Sequence, residues 1–309
     1  MREKVTIGTR GSALALTQTK HVKASLEALF PDLEIELKII KTTGDRFQDR
    51  PLPAVGGKGL FTKELEDAML DGRADMAVHS MKDLPTELPP GLALASVTER
   101  EEPWDVLVTE TGHKIEDLPR SARVGTSSLR RQAQLLNYRP DFKILPLRGN
   151  LDTRLRKLHD EKMDGIVVAL AGLKRMGWEN RVTQVLTPEI SLPSVGQGAL
   201  GLEAREDDQE LLEILSKLDH PATRIAVTAE REFLHVLQGG CQVPIAAYGD
   251  LSGDVLTLDG MVASLDGKEL LRDSMKGSSE DPHGLGSNLA RRLLEKGADR
   301  ILEELNKGR

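Results

Sequence analysis

The chain has 309 residues, 39% of them hydrophobic and 29% charged, with a formal net charge of -7. That balance belongs to a globular protein of two or three domains and excludes wholesale disorder. No apolar run approaches the roughly 20 residues that span a bilayer, and the single cysteine, Cys241, excludes an intramolecular disulfide and a zinc site built from several thiolates.

Met1-Arg2-Glu3-Lys4 leads straight into Val5-Thr6-Ile7 with no signal-peptide hydrophobic stretch, which predicts a cytoplasmic protein with a reduced thiol. Val5 to Thr9 reads as a strand, Ser12 to Leu29 as a helix that stops before Phe30-Pro31, and Glu34 to Ile40 as the next strand. An irregular stretch, Lys41 to Gly59, precedes a helix over Leu60 to Leu70 with apolar Leu60, Phe61, Leu65, Ala68 and Met69. Asp75 to His79 returns as a strand. This is the βαβ pattern of a mostly parallel sheet.

A similar pattern recurs between about 105 and 195. Ile7-Gly8-Thr9-Arg10-Gly11-Ser12 is answered by Val124-Gly125-Thr126-Ser127-Ser128, and Asp75-Met76-Ala77-Val78 by Asp164-Gly165-Ile166-Val167-Val168. Thr98 to Asp105 and Pro193 to Gly198 read as crossings between two lobes, with Ala199 to Glu203 rejoining the first sheet; paired crossings predict a hinge and a cleft. From Pro221 the pattern changes to a helix over Ala222 to Leu237, three short strands within Ile245 to Lys276 turning at Ser252-Gly253-Asp254 and Asp266-Gly267, and helices over Leu285 to Glu295 and Ala298 to Leu305. The predicted organisation is two similar α/β domains, 1–99 with 200–217 and 100–199, and a small α+β domain, 218–309, with a three-stranded antiparallel sheet.

Charge is unevenly spread. Residues 120–175 hold nine Arg and four Lys against five acids, a local +8 in a chain of -7, which suggests a small polyanionic ligand. The acidic remainder and 3% aromatic content supply neither a phosphate track nor stacking platforms, so nucleic acid is not expected. Gly125-Thr126-Ser127-Ser128-Leu129-Arg130-Arg131 places hydroxyls, free amides and two guanidinium groups at a helix start, an anion site by its orphan donors; a plain N-cap with solvated arginines also fits. Arg148-Gly149-Asn150-Leu151-Asp152-Thr153-Arg154 repeats the arrangement, and Arg10 occupies the matching turn in the first half.

Val78-His79-Ser80-Met81-Lys82-Asp83-Leu84-Pro85 follows a strand end, where open α/β sheets bind ligands. Asp83 suits an acid/base or the counter-ion of a developing cation, and equally an aspartate that shapes the turn before Pro85. His79, ending an apolar strand, reads as a core histidine. Gly56-Gly57-Lys58-Gly59 lacks the Walker spacing and fits a mobile lid. Cys241 sits in Gln238-Gly239-Gly240-Cys241-Gln242-Val243-Pro244, a turn by its glycines and proline, and both an exposed thiol and a small buried hydrophobe fit there.

The strings VGGKGLF, VHSMKDLP, VGTSSLRRQAQL, LRGNLDTRL, PSVGQGALGLE and GGCQVPI, in that order, resemble the porphobilinogen deaminase (hydroxymethylbilane synthase) family from Ile7 to about Ala247, and more loosely to the carboxyl terminus. The resemblance implies two domains like periplasmic binding proteins, a third small domain, and a dipyrromethane cofactor joined by a thioether to Cys241. It implies a transferase of tetrapyrrole (porphyrin, heme) biosynthesis that condenses four porphobilinogen molecules head to tail, releases ammonia at each addition and frees the linear tetrapyrrole by hydrolysis. It assigns catalysis to Asp83, cofactor binding to Ser80, Lys82, Asp83, Thr126, Ser128, Arg130, Arg131, Arg148 and Gly149, and substrate binding to Arg10, Gln18, Arg148, Arg154 and Arg175, with no metal. Trp104 stands where the resemblance leads one to expect arginine. The expected partner is the small-molecule substrate alone, for a monomer binding neither nucleic acid nor membrane; a two-lobed carboxylate-binding protein would need the arginines but neither Asp83 nor Cys241.

Overall fold

Alternating burial begins the first strand: in β1 (Lys4–Thr9) Val5 and Ile7 are fully buried while Lys4 and Thr6 are not. The computed structural model describes residues 2–46, 59–238 and 243–307. The chain divides into two units, Met1–Glu101 with Ala199–Arg224 and Glu102–Gly198 with Ile225–Arg309.

In the first unit, α1 (Ala13–Leu29) starts at Ser12, whose hydroxyl accepts from the Ala15 amide. β2 (Glu34–Ile39) lies parallel to β1. After a helical turn at Thr43–Arg46, α2 covers Lys63–Leu70. It begins at Lys63 rather than Leu60 because Gly59, with φ of 85°, holds the amides of Thr62 and Lys63 on its carbonyl as a turn. β3 (Met76–Ser80) pairs parallel with β1, β4 spans Leu92–Val97, and β10 (Leu200–Arg205) enters antiparallel between β3 and β4. The order is β2-β1-β3-β10-β4. One face packs Val5, Ile7, Met76, Val78, Leu200 and Leu202 against α1 and the helix Gln209–Ser216. The other packs Ala77 against Leu65, Ala68 and Met69 of α2.

The second unit repeats this winding with shorter strands. β6 (Arg123–Gly125) pairs parallel with β7 (Lys143–Leu145) and with β8 (Gly165–Ala169). β5 (Asp105–Val108) runs antiparallel between β8 and β9 (Gln184–Val185). The order β7-β6-β8-β5-β9 matches the first sheet place by place, with β5 where β10 stands, as the recurring strings predict. Helices α3 (Leu129–Tyr138), α4 (Leu151–Asp160) and α5 (Leu170–Arg175) follow β6, β7 and β8.

The predicted C-terminal strands form as an antiparallel sheet, β11 (Ile245–Ser252), β12 (Val255–Ala263) and β13 (Leu270–Ser278). Gly260 has no room for a side chain, since a Cβ there would sit 2.7 Å from the Phe233 ring. Its second turn packs on α3, where Asn137 donates to Gly267 O at 2.8 Å. Two helices, Pro282–Leu293 and Asp299–Lys307, are separated at Gly297, whose φ is 101°. Trp104 stacks at a tilt on Tyr248 of β11, ring centroids 5.0 Å apart, so an aromatic contact occupies the position where arginine was expected. Among the described residues no helix is long and apolar enough to cross a membrane.

Candidate functional site

Asp83 closes a 3-10 turn, Met81–Asp83, directly after β3. The turn is held from both sides. Met81 N donates to Ala199 O at 3.0 Å, and the Met81 side chain fills the space that a side chain on Gly201 would need, a Cβ there meeting its sulfur at 2.5 Å. Ser80 Oγ accepts from Nε2 of buried Gln18 at 3.0 Å. Lys82 and Asp83 are half-buried at the carboxyl end of the sheet, the end where open α/β sheets place reacting groups. Arg10, one residue past β1, lays its guanidinium over the Phe61 ring, 4.2 Å from the centroid.

In the second unit Ser128 is the N-cap of α3, accepting from Arg131 N, and Thr126 Oγ1 accepts from Ser128 N at 3.2 Å. Both hydroxyls therefore shape the turn. Arg130 and Arg131 point inward. Arg130 Nη1 donates to Asp105 Oδ2 at 2.8 Å and to Leu192 O at 2.6 Å, while Arg131 donates to Asp105 Oδ1 at 2.7 Å and Val167 O at 3.0 Å. Ser191 and Gln197 complete the four donors around this carboxylate. Burial alone would raise the Asp105 pKa, but the two guanidinium charges and their hydrogen bonds outweigh it and hold the group far below the usual carboxylate range. Burial and Arg131 push Arg130 down from its ordinary value against the pull of Asp105. One donor is left over: Arg131 Nε is buried with no partner.

Arg148 contrasts with that pair: it is half-buried and makes no hydrogen bond or ion pair among the described residues. The next residue, Gly149, needs its φ of 105°, and a Cβ there would lie 2.7 Å from Thr153. Asn150 then starts α4 with no side-chain cap, leaving amide donors at that helix end. Arg154 Nε donates to Gly149 O at 2.9 Å, and Arg175 Nη2 to Gly198 O at 2.6 Å. The structure thus gathers Gln18 and Ser80 beside the Asp83 turn, and Thr126, Ser128, Arg130 and Arg131 around the start of α3. Cys241 and residues 47–58 of the expected lid lie outside the described residues.

Sequence reasoning missed Asp105, Gln197 and Ser191. The available signal was an aspartate opening the apolar strand Asp105-Val106-Leu107-Val108, which has no reason to be there unless a buried cation meets it. Among the described residues no cluster of His, Cys, Asp and Glu could hold a metal ion.

Two family models match the chain: "Porphobilinogen deaminase, dipyromethane cofactor binding domain" over residues 5–213 and "Porphobilinogen deaminase, C-terminal domain" over residues 224–295. The chain is 54% identical over 301 residues to a porphobilinogen deaminase of Syntrophobacter fumaroxidans, covering 97% of each chain. It is 53% identical over 302 residues to that of Syntrophus aciditrophicus, covering 98% of this chain and 99% of the other. Among solved structures, the VFT2 domain of Bordetella pertussis BvgS matches 70% of this chain and 86% of its own at 16% identity, with a TM-score of 0.44.

Proposed function

This chain belongs to the porphobilinogen deaminase family, and from that membership we propose how its own residues divide the work, with Asp83 as the catalytic carboxylate and Cys241 as the anchor of the cofactor. The enzyme is a transferase that condenses porphobilinogen stepwise to the linear tetrapyrrole hydroxymethylbilane, and it carries a dipyrromethane cofactor-binding domain. When bound, dipyrromethane supplies a tethered primer whose terminal pyrrole accepts the next ring, which raises the effective concentration of every addition.

The observation that carries the reading is the Asp83 turn: a half-buried carboxylate on a short turn fixed by backbone, by Met81 against Gly201, and by Ser80 with Gln18. A carboxylate so fixed stabilises the cation that forms as ammonia leaves porphobilinogen, and it needs no rearrangement to do so. The donor set fits a cofactor bearing carboxylates. Among the described residues Arg131 Nε is a buried donor without a partner, and Arg148 stands unpaired beside the uncapped start of α4. Arg148, Arg131 and Gly149 with Thr126, Ser128, Ser80 and Lys82 would hold the cofactor, and Arg130 would support them through Asp105. Arg10, Gln18, Arg154 and Arg175 would meet the substrate's acetate and propionate groups.

A thioether does not turn over, so Cys241 anchors and is not a nucleophile renewed at each cycle. The same reading makes the protein a cytoplasmic monomer with no nucleic-acid or membrane partner. The test joins intact mass to turnover. The protein should carry an adduct of two linked pyrroles that Cys241→Ser abolishes, and Asp83→Asn should keep the adduct while ammonia release falls about a thousandfold. An adduct that survives in Cys241→Ser, or Asp83→Asn turnover within tenfold of the parent, overturns the respective assignment.

A further inference from the structure

Beneath the Asp83 turn the first unit buries three titratable side chains that the functions above do not use. Glu203 on β10 is 0% exposed, His79 on β3 5% and Glu66 on α2 7%. His79 faces Gly201 and Glu203 faces Ala77 in the antiparallel register, so both lie on the sheet face that α2 covers. His79 Nε2 approaches Glu203 Oε2 to 2.9 Å, an ion-pair distance without hydrogen-bond alignment. That nitrogen, both Glu203 oxygens and Glu66 Oε1 are buried with no hydrogen-bond partner.

Neither carboxylate pairs with lysine or arginine among the described residues. The cation closest by position, Arg205 on the same strand, gives Nη1 to Met69 O and Ala74 O and Nη2 to Asp208. Arg10 lies over Phe61 at the head of α2. On α2 itself Asp67 adds negative charge, and Glu64 is turned to the Thr43 amide. Two carboxylates and one imidazole therefore share a buried site with no lysine or arginine among the described residues, and an uncompensated charge there is too costly to persist. The balance must come from within the site: His79 lies at ion-pair distance from Glu203, while Glu66 meets no cation among the described residues, so its neutral form is favoured. Burial does push Glu66 above its ordinary value; Glu203 and Asp67 add to that, against Thr62 and His79.

We propose that Glu66, His79 and Glu203 form a buried triad, packed between α2 and the sheet, that positions the Ser80–Asp83 turn and holds it only while Glu66 is neutral. His79 is bonded directly to Ser80, and its partner Glu203 sits on β10, whose Gly201 meets the Met81 side chain and whose preceding residue, Ala199, accepts from Met81 N. Loss of the Glu66 proton sets two carboxylates against each other between α2 and the sheet. The end of β3 then loosens and Asp83 loses its place. All three are positioning residues, and their effect on turnover rests on Asp83 being the catalytic carboxylate. The linkage has a definite sign: with a raised folded pKa, the stabilisation is full below the ordinary 4.5 and is lost as pH rises through the folded value.

The test compares holoenzyme with Glu66→Gln, a neutral isostere, for kcat, KM and amide exchange of residues 76–83 as pH is raised upward from the ordinary glutamate value of 4.5. Glu66→Gln should keep kcat within about threefold of the parent at neutral pH, and hold both kcat and exchange protection about one pH unit higher than the parent as pH rises. Identical pH curves for the two proteins in both readouts overturn the proposal, as does a neutral-pH kcat more than about tenfold down in Glu66→Gln. Glu203→Gln should lower kcat about tenfold with KM within about twofold; a raised KM at unchanged kcat counts against positioning. Should that variant not fold, the Glu66→Gln curves still decide. Exchange is read without turnover, so a failed Asp83 assignment, seen as an active Asp83→Asn, stays distinct from a failed triad.

Discussion

Two sheets wound in the same order solve one problem in opposite ways. Each inserts an antiparallel strand between its third and last strands, β10 in one and β5 in the other, and each of those strands carries a carboxylate with no solvent exposure, Glu203 and Asp105. Asp105 receives two guanidinium groups, a hydroxyl and an amide, so it remains ionised in a cation-rich cluster. Glu203 receives one imidazole and lies near a second glutamate. The same topology thus buries a carboxylate clamped by two arginines in one half, and in the half that carries Asp83 a carboxylate that meets neither lysine nor arginine among the described residues.

The sharpest way to break this contrast is Asp105→Asn, which leaves two buried guanidinium groups without their anion and should cost about 3–5 kcal/mol. Both tryptophans, Trp104 and Trp178, lie in the second unit, so the denaturant midpoint of tryptophan fluorescence reads that unit. The cost should be full above 3.8, the ordinary aspartate value, and shrink as pH falls through it, because a depressed folded pKa gives stability that acid removes. That is the reverse of the loss with rising pH expected of Glu66. A midpoint unmoved at neutral pH would mean that the cluster is not a fixed ion network.

Next in size is the difference between committed and uncommitted arginines. Arg148→Leu should leave the same midpoint within about 0.5 kcal/mol, as for a surface change, while cofactor loading by intact mass, or turnover, falls at least about tenfold through the lost carboxylate partner. Loss of stability with normal loading would reverse the roles given to Arg148 and Arg131. The smallest effect belongs to the cap: Ser128→Ala should cost about 1 kcal/mol by removing the acceptor for Arg131 N. A larger loss, confined to loading, would show that the Ser128 hydroxyl serves the ligand more than the helix.

Much of the frame was legible because it is written in local patterns. Ser12 and Ser128 cap helices where the strings place them, and the hairpin turns at 252–254 and 266–267 join three strands. His79 is a core histidine, as its place at the end of an apolar strand implied, although its nitrogen lacks an aligned partner. What stayed hidden were partners distant in sequence. The sequence reading sent Arg130 and Arg131 toward a ligand; in the structure both meet Asp105, in a segment that had been read only as a crossing. Glu66, His79 and Glu203 come from a helix and two strands, and no spacing rule links them.

By itself the sequence determined the βαβ pattern and its twofold repeat, the Asp83 turn and the family, though not the strand Leu92–Val97 or the helix Gln209–Ser216, because periodicity, capping and motif spacing act over a few residues. Tertiary structure alone decided which charges are satisfied inside the protein and which are left to meet a ligand. Desolvation and Coulomb energy depend on distance in space, and a buried charge is settled only when a particular strand brings its partner or its proton.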